Sequence, residues 1–173
     1  MWKKILVIVL LFYFFALLQS SFFVHFNLFG VVPNLVFILF FLLVFFQWPA
    51  NNYKIIIIAV AAGIILDIFS YTYIGPSVIL LTGIAFLLKG VRSLLKNTEN
   101  SYPFAYFLPL FVLFFLVYDL FRGSYLYFLD SDKIALIIST QIIFSVIYNA
   151  IIASLLFYVY KKVIKEFGNG KDL

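Results

Sequence analysis

The chain has 173 residues, of which 66% are hydrophobic and 11% charged, with 24 Phe and a mean hydropathy of +1.16. These values exclude an ordinary soluble domain and define an all-α integral membrane protein, and the apolar runs leave room for one polytopic membrane domain over residues 1–173. The net charge of +5 lies in short basic clusters beside those runs, which argues against nucleic acid as a partner; with no Cys there is neither a disulfide nor a thiolate site, and a single His argues against a His-based metal centre.

Six spans are predicted, at about residues 5–23, 32–48, 55–73, 76–96, 103–121 and 134–160. The first follows Lys3 and Lys4 and reads as a retained span, because its apolar run continues past Ser21 without an Ala-x-Ala-like cleavage site. His25 falls in the loop behind it and reads as an ordinary loop residue. Pro33 sits in the first turn of the second span, where its missing N–H is tolerated, and Trp48 and Pro49 close that span at the interface.

The third span carries one acid, Asp67, on a face with Ala59, Gly63 and Ser70, within an arc of roughly 80° on the helical wheel. A carboxylate inside a membrane costs about 2.5 to 3.5 kcal/mol and calls for a protein-lined or watery site. Small residues admit a second helix closely, so three readings stand together: a plain packing face, a structural hub for the fold or a partner helix, or an ion, proton or substrate site. Gly75 and Pro76 open the fourth span, which is apolar only to Leu88. Lys89, Arg92 and Lys96, spaced i, i+3, i+7, extend it if the helix continues and their long side chains snorkel to the headgroups.

Asp119 and Arg122, at i, i+3 near the end of the fifth span, read as a local ion pair. Gln141, Ser145 and Asn149 form a polar line on the sixth span, suited to hydrogen bonds between helices. The group at residues 130–132, Asp-Ser-Asp, reads as the N-cap of that span, and a calcium site there has too few oxygen ligands. No catalytic or cofactor motif occurs, so a non-enzyme without a cofactor is expected. With the N-terminus cytoplasmic, six spans leave only Arg122 and Lys133 of the 12 basic residues on the outer side, which predicts both termini inside.

The order of features resembles the family of the rod shape-determining protein MreD. The features are Leu-Gln-Ser-Ser at 18–21, Leu-Phe-Gly-Val-Val-Pro-Asn-Leu at 28–35, Gly-Ile-Ile-Leu-Asp-Ile-Phe-Ser at 63–70, and Gly75 opening the next helix. Asn34 stands where many relatives carry Asp. The resemblance implies a non-enzymatic scaffold in the bacterial inner membrane, part of the cell-elongation machinery for peptidoglycan synthesis. It implies binding to a bitopic MreC-like protein and, through it, a link between MreB filaments and the glycan polymerase and transpeptidase. Pro33, Asn34, Ala59, Gly63, Asp67, Ser70, Gly75 and Pro76 are then structural or partner-binding residues. The fold it implies is similar to that of the substrate-capture subunits of energy-coupling-factor vitamin transporters. A subunit of that kind is the alternative function, with Asp67, Gln141 and Asn149 lining a ligand cavity.

Overall fold

The computed structural model describes residues 2–27, 30–46, 52–70, 73–94, 104–129 and 137–167. Six α-helices follow one another: α1 (Trp2–Leu17), α2 (Leu35–Phe46), α3 (Asn52–Phe69), α4 (Pro76–Leu94), α5 (Phe104–Leu129) and α6 (Ile137–Phe167). No strand occurs among the described residues. Successive helices run in opposite directions, because the ends of α1, α3 and α5 meet the starts of α2, α4 and α6 at one end of the bundle. That end is called the Gly75 end below.

Among the described residues, four stretches are long and apolar enough to cross a membrane: Ile5–Phe26, Pro76–Ser93, Phe104–Ser124 and Gln141–Lys162. The second expected span is shorter. Helix α2 has 12 residues, about 18 Å of helix against a hydrocarbon core of about 30 Å. Residues Leu35 through Phe45 are all buried, so α2 is a central post and needs no lipid-facing length. A helix that is apolar on every side belongs in such a position. Helix α3 spans 18 residues and buries Asp67, which is 1% exposed.

The core around α2 is aromatic. Phe37 packs edge to face on Phe111 and Phe115 at 5.9 and 5.3 Å, and Phe41 does the same with Phe107 and Phe111 at 5.6 and 5.3 Å. Phe157 on α6 closes the stack against Phe107 at 4.6 Å. Edge-to-face contacts of this kind add to dispersion packing, the main attractive term between helices where lipid is as apolar as Leu. The outer faces are apolar too: Leu6, Leu10 and Phe14 on α1 and Ile143, Ile147, Ile151 and Leu155 on α6 are exposed along their helices. That is the pattern of surfaces solvated by lipid or by another helix.

Several expectations are corrected. Pro33 precedes α2, and Asn34 is the residue that starts the helix, since Ile38 N–H bonds the Asn34 carbonyl at 3.1 Å. Helix α4 does continue past Leu88 to Leu94, but Arg92 turns inward instead of snorkelling: it is 7% exposed, with its guanidinium 5.2 Å over the Phe45 ring. A guanidinium in that position is attracted to the π face of the ring. Helix α5 runs to Leu129, beyond the predicted end near residue 121. His25 lies in a single 3-10 turn, Phe23–Phe26, with Nδ1 2.9 Å from the Ser21 carbonyl. Lys96, Trp48, Pro49 and the acidic group at 130–132 lie outside the described residues.

Candidate functional site

The Gly75 end holds nearly all the polar chemistry, and it is built from two helix starts. At α4, Pro76 occupies the first helical position, where a missing N–H costs nothing. Gly75 before it is the cap residue, and Ile79 N–H bonds its carbonyl at 3.0 Å. Gly has no side chain with which to cap. Asp67 supplies the cap from the end of α3: one carboxylate oxygen accepts the Gly75 N–H at 2.7 Å and the other the Ser77 N–H at 3.1 Å. The free donors on both sides of Pro76 are thus satisfied by a side-chain carboxyl group placed at the N-terminal end of the helix.

The small-residue face of α3 makes this reach possible. A Cβ on Gly63 would lie 2.5 Å from the Val78 Cα and 2.7 Å from the Val78 nitrogen, so α3 and α4 touch backbone to backbone at that point. Ala59, on the same face, is fully buried. Ser70 closes the last turn of α3 by donating from Oγ to the Asp67 carbonyl at 3.2 Å. Gly75 itself has φ of +135°, a backbone conformation that side-chain-bearing residues rarely adopt.

The second helix start is α2. Asn34 Oδ1 accepts the Phe37 N–H at 3.0 Å, an N-cap bond from the cap residue to the third helical position. The Asn34 N–H donates to Asn149 Oδ1 on α6 at 2.7 Å, and the Leu35 N–H donates to Gln19 Oε1 from α1 at 3.0 Å. Asn149, with no exposed surface, is fixed in turn by donating from Nδ2 to the Ser145 carbonyl at 2.8 Å. Extended backbone at membrane depth, such as residues 31–34, is tolerated only where protein satisfies it, and Asn149 of α6 does so for the Asn34 N–H. The Tyr118 hydroxyl of α5 lies beside Ser77 and Asn34, so it sits between the two helix starts.

Of the residues singled out from the sequence, Asp67, Gly63, Ala59, Ser70, Gly75 and Pro76 come together at the α3–α4 turn, and Asn34 and Asn149 meet at α2. Gln141 lies nearer the surface, its amide nitrogen 3.6 Å from where a Gly30 Cβ would stand. Asp119 and Arg122 remain electrostatic neighbours; Asp119 is also set against Ser145 across the α5–α6 contact, and Arg122 lines a cavity.

That cavity, of about 330 Å³, lies among the ends of α1, α3 and α5 and the start of α2. Its polar wall is Gln19, Ser20, Ser70, Tyr118 and Arg122; its apolar wall is mainly Ala16, Val32, Val36, Leu66 and Phe69. Asp67, Gln141 and Asn149, the expected lining of a ligand cavity, are not among these residues, because Asp67 and Asn149 are engaged with backbone N–H groups. Gln19, Ser77 and Tyr118 were not anticipated. Gln19 carried a signal, as a lone amide inside an apolar run; what brings it to α2 is a π-helical turn, Leu18–Phe22, closed by the Phe23 N–H on the Leu18 carbonyl. A change of helical pitch leaves no mark in a 3.6-residue pattern.

The fold and the two capped helix starts define a polytopic helical membrane protein in which the buried Asp67, Asn34 and Asn149 are joined to backbone. The sequence profile of the family described as rod shape-determining protein MreD matches residues 3–167, and the chain belongs to that family. Neither a curated protein nor a solved structure matches the chain. Membership makes it a multi-pass inner-membrane protein of the bacterial rod-shape machinery, in a family of shape-determining structural proteins that work with MreC in cell elongation and peptidoglycan synthesis.

Proposed function

We propose that this protein is a non-enzymatic scaffold that binds a bitopic MreC-like partner by helix-to-helix contact, and through it connects MreB filaments with the glycan polymerase and transpeptidase. The observation that carries this reading is where the polar groups go. Asp67, Asn34, Asn149 and Gln19 are engaged in holding helix starts in place, which leaves broad apolar faces for recognition. In a bilayer such faces associate by close packing. The distribution of basic residues supports a bundle with both termini cytoplasmic and the Gly75 end outward.

The test is co-purification from mild detergent of the tagged chain with its bitopic partner. Stoichiometric recovery of the partner is expected. Failure to recover it, together with a vitamin retained through purification, would support a substrate-capture subunit instead.

A further inference from the structure

The cavity at the Gly75 end contains one charged residue, Arg122, and no carboxylate. Asp119, one turn earlier on α5, is set against Ser145 and is an electrostatic neighbour of Arg122. An arginine lining a partly apolar cavity presents a planar fork of N–H donors that matches the geometry of a phosphate. We propose that the cavity binds the phosphate-bearing headgroup of an anionic lipid, with Arg122 as the anion contact.

The other polar walls fit that chemistry. Gln19 uses its amide oxygen on the Leu35 N–H, so the group it has left for a ligand is its NH2, a double donor. Tyr118, whose hydroxyl is set beside Ser77 and Asn34, gives the wall an aromatic face. Ser20 donates its own proton to the Leu17 carbonyl at 3.3 Å, which leaves its oxygen as an acceptor for a headgroup hydroxyl. Donors toward a phosphate and an acceptor toward a hydroxyl describe a glycerophosphate-type group. The π-helical turn at Leu18–Phe22 is what brings both Gln19 and Ser20 to the wall, and π-turns inside helices are frequent at functional sites. At about 330 Å³ the cavity is in the range of small-ligand sites, and Ala16, Val36 and Leu66 give it an apolar wall for the first part of a lipid tail.

The inference depends on the membrane-embedded fold and is independent of the partner. It is tested on the full chain in neutral detergent, by thermal unfolding with added short-chain phosphatidylglycerol, phosphatidylcholine or free glycerol 3-phosphate. Phosphatidylglycerol at about a hundred times its Kd is expected to raise Tm by about 5 °C. Phosphatidylcholine, whose ammonium faces Arg122, is expected to do little. Arg122→Gln should abolish the response, and Lys54→Gln, at the other end of the bundle, should retain it. An undiminished response in Arg122→Gln, or an equal response to phosphatidylcholine, would overturn the proposal. An equal response to glycerol 3-phosphate would assign the site to a free anion and overturn the lipid. Should Arg122→Gln not fold, native mass spectrometry of wild type and Ser20→Leu decides. An anionic phospholipid held by the first and lost from the second supports the site; retention by both, or by neither, refutes it.

Discussion

Asp67 is a structural acceptor. Its two oxygens each take a backbone N–H of the next helix, and Pro76 between those donors has none to offer. Replacing it by Ala leaves two partly buried N–H groups without their acceptor, so Asp67→Ala should lower stability in detergent by about 1 to 3 kcal/mol, read as a drop in Tm. Asp67→Asn keeps one acceptor oxygen and should fall between the two. Asn34 makes the converse case. Its acceptor oxygen caps Phe37, while its Nδ2 is buried without a hydrogen-bond partner. An acid at this position supplies the acceptor without the idle donor, so Asn34→Asp should fold with near wild-type stability. Asn34→Leu should cost about 1 to 2 kcal/mol by the same measurement. Asn34 thus meets the position's requirement for an acceptor oxygen without a charge. Asp67 was readable from sequence as the residue that needs a partner, and Gly75 and Ser77 as its partners were not. A bond spanning eight to ten positions depends on the angle at which α4 returns, which no local pattern encodes.

Between elements, the α3–α4 pair is the tightest joint, and Gly63 sets its spacing. Gly63→Ala places a methyl carbon 2.5 Å from the Val78 Cα, a clash with backbone that only helix separation relieves. The expected cost is about 1 to 3 kcal/mol, with weakened capping by Asp67. Gly83→Ala, where nothing lies within 4 Å of the new carbon, should be neutral or slightly stabilising, and comparing the two Tm values isolates packing from helix propensity. Helix positions were legible in the sequence because apolar runs and their Pro and Gly boundaries are strong signals. The rank of the helices was not. Helix α2 looks like the other apolar segments in composition, yet it is the buried post, and only the ring contacts from Phe37 to Phe45 reveal it. Arg92 went astray for a related reason: a basic residue at a helix end normally reaches outward, and here an aromatic face lies closer.

For the whole molecule, the capped helix starts, the aromatic post and the apolar outer faces describe a rigid scaffold for helix partners. Its orientation follows from the basic flanks. Reporters of cytoplasmic location fused after residue 4 or residue 167 should both be active, and one inserted after Ser124 should be silent. The central claim is that the intramembrane polar residues build the scaffold and that recognition lies elsewhere. It is tested most directly by measuring, for Asp67→Asn, both the yield of folded, monodisperse protein and the amount of bitopic partner recovered per folded molecule. The account predicts a reduced yield with an unchanged ratio of partner to folded protein. A normal yield with the partner lost would contradict it and make Asp67 a direct contact.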